Sequence, residues 1–159
     1  MKDFYEKIYI EINKLLNNTD TLLLEKIAKS LINVNKKKKK VIIFGNGGSA
    51  AISSHVSIDL TKNAKIRSIN FNEADLLTCF SNDYGYEKVF SKSLEFYADV
   101  GDVVIIISSS GKSKNLLEAA KICKKKKILI YRLTGFSKSN PLKKMGNVNL
   151  WVNSNAYNI

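Results

Sequence analysis

Two stretches of this sequence follow one plan, and together they leave few folds open. Val41–Phe44 is an uncharged run rich in β-branched residues that empties into Gly45-Asn46-Gly47-Gly48-Ser49. Val103–Ile107 does the same into Ser108-Ser109-Ser110-Gly111-Lys112-Ser113, and an amphipathic stretch from Asn115 to Lys124 follows. Each reads as a buried strand, a tight loop and a helix N-terminus. In an open parallel sheet all strand C-terminal ends share one edge, so both loops face the same space. Backbone N–H groups at a helix start lack partners, and the helix dipole adds partial positive charge, which suits an anion. Gly47 and Gly48 let a ligand approach the backbone. Taken alone, the first loop reads equally as a plain glycine turn. The pair of loops favours phosphate, seated by hydroxyls and N–H groups. Neither loop is a GxGxxG fingerprint or a GxxxxGK[ST] P-loop, so a phosphorylated small metabolite is favoured over a nucleotide held with magnesium.

A chain of 159 residues, 45% of them hydrophobic, is expected to form one domain with a real core. No apolar run approaches 18 residues and no N-terminal signal pattern is present, so a cytoplasmic protein without a membrane span is expected. Cys79 and Cys123 have no metal-binding spacing and read as buried, reduced thiols. The formal charge of +12 raises nucleic acid as a partner, but all 26 basic residues except Arg67 and Arg132 are lysines. That composition argues against base readout and reads as solvated surface. The densest runs, Lys36–Lys40 and Lys124–Lys127, each precede a strand, which puts them on the sheet edge opposite the two loops. No aromatic residues interleave with them.

Two amphipathic helices open the chain. Phe4, Ile8, Ile12 and Leu15 recur at helical spacing; after Asn17-Asn18-Thr19-Asp20, so do Leu23, Leu24, Ile27, Ala28, Leu31 and Ile32. The first has more apolar surface than a small domain covers, so it packs either on its own domain or between subunits. Ala50–Lys62 reads as a helix, Ile66–Phe71 as a strand, Glu73–Phe80 as a short helix and Glu87–Tyr97 as another. Ile128–Leu133 and Val148–Val152 are the last two strands, and Pro141 opens a short helix between them.

His55, the only histidine, lies four residues before Asp59, so both project from one helical face. Such a pair can bind a metal or place a base beside one; a structural histidine is the competing reading. In the polar segment 81–86, Asp83 could accept sugar hydroxyls or cap the helix that follows.

GNGGSA at 45–50, SNDYGYEKVFS at 81–91 and ISSSGKS at 107–113, in that order and spacing, resemble the sugar-isomerase (SIS) domain, and within it the phosphoheptose isomerases. The likeness runs from Val41 to Trp151. It implies a flavodoxin-like three-layer α/β/α fold with a five-stranded parallel sheet and two N-terminal helices: a single domain over 1–159, with helices in 1–35 and an α/β core over 41–152. It further implies interconversion of sedoheptulose 7-phosphate and a mannoheptose 7-phosphate through an enediol, in heptose biosynthesis for lipopolysaccharide or capsule. By this resemblance Asp59 is the base, although the family has the longer glutamate there, and His55 with Asp59 holds zinc. Asn46, Gly47, Gly48, Ser49, Asp83, Ser108, Ser109, Ser110 and Ser113 bind substrate. The family also implies a homo-oligomer, a tetramer, with sites shared between subunits. Its members continue with a long C-terminal helix that supplies a glutamine and a histidine; Ala156–Ile159 resembles only the start of it, so either the chain is truncated or it has lost the family's complete site. The alternatives are a non-catalytic protein that binds sugar phosphates and an isomerase of another phosphosugar.

Overall fold

The computed structural model describes residues 2–156. The expected start of a C-terminal helix at 156–159 therefore lies almost wholly outside the described residues. In chain order the elements are α1 (Lys2–Asn17), α2 (Thr21–Lys36), β1 (Val41–Gly45), α3 (Gly48–Lys62), β2 (Ser68–Asn70), α4 (Ala74–Tyr84), α5 (Val89–Tyr97), β3 (Val103–Ser108), α6 (Lys114–Lys125), β4 (Leu129–Thr134) and β5 (Val148–Trp151). Short 3₁₀ turns at Tyr86–Lys88 and Leu142–Lys144 complete the list.

All five strands run parallel in the order β2-β1-β3-β4-β5. This is the flavodoxin-like winding, and its direction reverses between β1 and β3. Every residue of β1 and β3 is buried, as expected of central strands covered on both faces. Alternation sorts their side chains. Ile42, Phe44, Val104, Ile106 and Ile130 face α4, α5 and α6, where Phe44 stacks on Phe90 with ring centroids 4.6 Å apart. Val41, Ile43, Val103, Ile105 and Tyr131 face α2 and α3. The result is the three-layer architecture expected from the sequence. β2 is shorter than the six residues expected because it is an edge strand that pairs only with Val41–Ile43.

Packing overrides local propensity in the polar segment. Ser81, Asn82, Asp83 and Tyr84 are not a turn; they form the last turn of α4, which ends at Gly85 with φ of +84°. Leu76, Leu77 and Phe80 pack that helix on the core, and this outweighs the turn preference of Asn and Asp. Nor do Asn82 and Asp83 cap the next helix: α5 starts from Lys88 without a side-chain cap. Cys123 is buried as expected, and burial pushes its thiol pKa up to about 12, so it is inert at neutral pH. Cys79 corrects the expectation, because it is exposed.

α1 buries none of its residues. Phe4, Tyr5, Tyr9, Ile10 and Leu16 are exposed on it. No described helix is long and apolar enough to cross a membrane.

Candidate active site

The reversal between β1 and β3 sets two helix starts side by side. Gly45 and Ile107 are register partners on the two strands, so the loops that follow leave the sheet from adjacent points. Gly45 is required by space: a Cβ there would stand 2.6 Å from Ser49 Cβ and 2.8 Å from the Ile107 carbonyl oxygen. Its absence lets the first turn of α3 sit directly on the ends of both strands. Gly47 then occupies the N-cap of α3 with φ of +55°, a conformation costly for other residues. It offers no side chain to the helix N–H groups, and the cap of α6, Ser113, makes no capping bond either. Backbone carbonyls take most of the first-turn N–H groups instead: Ser49 N–H donates to Asn46 O, Ala50 and Ala51 N–H to Gly47 O, and Leu116 and Leu117 N–H to Ser113 O.

Asn46, Ser49, Ser108, Ser109, Ser110 and Ser113 line one cleft of about 130 Å³ at this point. The two serine loops expected to cooperate are brought together. Two of the hydroxyls already hold the loop: Ser108 Oγ accepts from the Gly111 N–H at 3.1 Å, and Ser110 Oγ from the Lys112 N–H at 3.3 Å. Among the described residues the hydroxyls of Ser49, Ser109 and Ser113 have no protein partner, which leaves them for a ligand. A cleft of free hydroxyls at two helix starts, without a fixed carboxylate, is chemistry for an anionic oxygen cluster.

His55 and Asp59 are not in this cleft. They stand on the second and third turns of α3, about 9 Å and 15 Å along the helix from Ser49 at 1.5 Å per residue. Their side chains are 79% and 49% exposed, with His55 Nε2 3.4 Å from Asp59 Oδ2. The other Asp59 oxygen accepts from Asn63 Nδ2 at 3.0 Å. The fit to zinc fails on donor count: the described residues contain no group of three or more His, Cys, Asp and Glu side chains, whereas a zinc site takes four ligands or three and a water. Asp83 also lies outside the cleft, on the last turn of α4, where it accepts from Asn82 Nδ2 at 2.9 Å.

Three residues that sequence reasoning missed surround Asn46. Asn115, 3% exposed on the first turn of α6, exchanges both amide bonds with it, at 3.0 and 2.9 Å. Tyr86 donates its hydroxyl to Asn46 Oδ1 at 3.0 Å. Asn72 donates to the Gly45 carbonyl at 2.9 Å and ties β2 to the same loop. Tyr86 lies within the 81–91 motif, and Asn115 left a local signal, a polar residue of weak helix propensity just inside a helix.

A family model described as the SIS domain matches residues 4–135. The chain belongs to the SIS domain family. It is 36% identical over 137 residues to a protein named probable phosphoheptose isomerase from Thermoplasma volcanium, covering 81% of this chain and 69% of that one. It is 35% identical over 154 residues to a phosphoheptose isomerase of Sulfurimonas denitrificans, covering 92% and 78%. Among solved structures, a phosphoheptose isomerase from Neisseria gonorrhoeae superposes with a TM-score of 0.85 at 26% identity, covering 99% of this chain and 86% of that one.

Proposed function

We propose that this protein is a phosphosugar isomerase that interconverts sedoheptulose 7-phosphate and a mannoheptose 7-phosphate. The observation that carries the reading is the convergence of Asn46, Ser49, Ser109 and Ser113 on one cleft between two helix starts; kinship with the phosphoheptose isomerases supplies the sugar. The phosphate sits in the cleft and the sugar chain runs out along α3 toward His55 and Asp59. Asp59 takes the proton from the carbon beside the carbonyl and the electron pair forms the enediol as the carbonyl oxygen gains a proton; loss of the proton from the neighbouring hydroxyl then makes the new carbonyl as the former carbonyl carbon takes the proton back. Zinc would need at least two donors beyond His55 and Asp59, so no step is assigned to it.

The reading also makes the protein a homo-oligomer, and a tetramer by family resemblance. Ile52 and Ile58 flank the exposed His55 on the outer face of α3, and α1 offers a second uncovered apolar face. A second copy seated there would enclose the acid/base pair, which the single chain leaves in water. Light scattering at micromolar concentration checks this; a monomeric mass would remove the shared-site argument. A place in heptose biosynthesis for lipopolysaccharide or capsule, in the cytoplasm, is supported by the three-motif resemblance alone.

The second reading, a sugar-phosphate-binding protein without catalysis, is favoured by the distance of His55 and Asp59 from the cleft. Turnover of sedoheptulose 7-phosphate that is lost in Asp59→Ala establishes the isomerase. Binding of the phosphorylated sugar without turnover establishes the binding protein. Equal stabilisation by unphosphorylated sedoheptulose would overturn the phosphate assignment on which both rest.

A further inference from the structure

The folded chain sorts its charge. The five segments that lead into the strands, 36–40, 62–67, 98–102, 124–127 and 144–147, hold thirteen of the 26 basic residues and two of the 14 acidic ones. Those two acids, Asp99 and Asp102, are both held by Lys40. The rest of the chain is close to balance, with thirteen basic and twelve acidic residues, so nearly all of the net charge of +12 stands on the sheet edge opposite the cleft. That edge is level. Val41 is the register partner of both Ser68 and Val103, and Val103 of Leu129, so β1 to β4 start side by side. Neighbouring strands lie about 4.8 Å apart, so the five spread the charge over roughly 19 Å, with the ends of α2 and α3 on one side of the sheet and of α6 on the other.

Folding alone does not account for these lysines. One or two cations complement the dipole at a helix end, and Lys126 Nζ is spent on the carbonyls of Leu94, Glu95 and Ala98. Yet α2, α3 and α6 are each followed by a lysine in the left-handed region: Lys38, Lys65 and Lys127, with φ of +55°, +56° and +57°. Glycine takes such a position with less strain. All three lysines are exposed, and among the described residues none of them makes an ion pair. A local rule is thus broken three times in the same way on one edge, with no compensating contact inside the protein.

We propose that this edge seats the protein on an anionic phospholipid surface, with the cleft turned to the aqueous side. The inference is independent of the ligand in the cleft. Three features favour a bilayer over a nucleic acid. A level field of lysines engages a planar polyanion at every point, whereas it touches a rod only along a line. Arg67, the one arginine of the edge, turns its Nη1 to the Lys38 carbonyl at 2.9 Å, and no aromatic residue stands in the five segments, which leaves neither base readout nor base stacking. Val100, 73% exposed in the turn before β3, presents an apolar side chain that the headgroup boundary accepts and a phosphate backbone does not.

The test is co-sedimentation of the full chain with lipid vesicles. In about 0.15 M salt the protein should bind vesicles of phosphatidylcholine and phosphatidylglycerol in equal parts but not pure phosphatidylcholine, and about 1 M salt, where the Debye length is roughly 3 Å, should release it. Lys38→Gly, Lys65→Gly and Lys127→Gly together remove three charges while relieving backbone strain. That variant should unfold no earlier than wild type and bind the acidic vesicles roughly a hundredfold more weakly. Lys37→Gln, Lys125→Gln and Lys144→Gln together leave the backbone untouched and should lose as much. Lys7→Gln, Lys26→Gln and Lys121→Gln remove the same charge from other faces and should bind nearly as wild type. An equal loss in this last variant would show that net charge and not the edge is recognised, which would overturn the proposal. Equal binding to both kinds of vesicle, or to neither, would overturn it as well. Retention on a DNA duplex without binding to acidic vesicles would assign the edge to nucleic acid instead.

Discussion

Lys40 Nζ lies 2.7 Å from Asp102 Oδ2, and the Lys40 backbone N–H donates to Asp102 Oδ1 at 3.0 Å. The last lysine of the 36–40 run is therefore not solvated surface like its neighbours. Asp102, 1% exposed, also accepts from the Asp99 N–H at 2.8 Å, and Lys40 reaches Asp99 Oδ2 at 2.7 Å. One cluster thus joins the starts of β1 and β3, the two strands whose far ends carry the cleft.

Replacing Asp102 by Ala leaves the Lys40 and Asp99 backbone N–H groups without their acceptor while the Lys40 ammonium keeps Asp99, so it should destabilise the protein by about 1–3 kcal/mol in denaturant unfolding. The pH dependence has a definite sign. Burial is the largest single influence on Lys40 and pulls its pKa down, but hydrogen bonds to Asp102 and Asp99 and their charges outweigh it, for a net rise above 10.5. This contribution is complete below pH 10.5 and is lost as pH rises through the higher folded value. Asp99 is held below 3.8, chiefly by its hydrogen bond to Lys40. Its contribution is present above pH 3.8 and is lost as pH falls through the lower folded value. The stability difference between wild type and Asp102→Ala should therefore shrink as pH rises through the folded Lys40 value, while the Lys40–Asp99 contribution is common to both proteins.

Lys38 and Lys127 hold φ of +55° and +57° just past the ends of α2 and α6. In each case two backbone bonds close the helix: Lys38 N–H to Asn35 O and Lys39 N–H to Val34 O, then Lys127 N–H to Lys124 O and Ile128 N–H to Cys123 O. This is the Schellman pattern, which favours glycine at the left-handed position. Lys38→Gly and Lys127→Gly should each stabilise by about 0.5–1 kcal/mol, since relief of left-handed strain exceeds the added entropy of the unfolded chain. An unchanged denaturation midpoint would show that these lysines bear no such strain.

Gly45→Ala would force Cβ against Ser49 Cβ and the Ile107 carbonyl, and both contacts involve groups that cannot swing aside. The start of α3 must then lift from the strand ends. The expected cost is about 1–3 kcal/mol in stability, with a larger proportional loss of sugar-phosphate binding because Ser49 moves away from Ser109 and Ser113. Calorimetry and thermal unfolding on the same sample separate the two effects.

Ser109→Ala combined with Ser113→Ala removes two free hydroxyls from the cleft while leaving the loop bonds of Ser108 and Ser110 intact. The thermal shift given by sedoheptulose 7-phosphate should shrink. At a ligand concentration of 100 Kd the wild type gains about 2.7 kcal/mol, and a tenfold weaker variant about 1.4 kcal/mol. An undiminished shift would place the phosphate elsewhere.

What could be read directly from residue order was whatever depends on near neighbours. Val41–Gly45 and Val103–Ser108 announce themselves because central strands are apolar on both faces, and each cleft loop is contiguous with its strand and helix. The five strands, the edge that carries the serine loops and the opposite edge that carries the lysine runs follow from that local grammar, and the resemblance to the SIS domain implied their joining into one parallel sheet. Tertiary structure decided the rest. Asn82 and Asp83 prefer turns, yet Leu77 and Phe80, half-buried against the core, carry the helix through to Tyr84. Lys40 looks like its neighbours until Asp102, 62 residues later, folds against it. Asn46 is bound by residues 40 and 69 positions away, a relationship no local pattern encodes. Hydrophobic periodicity reports burial because burial is a property of one element's face. Polar pairing joins atoms from different elements, so only the folded arrangement determines which donor meets which acceptor.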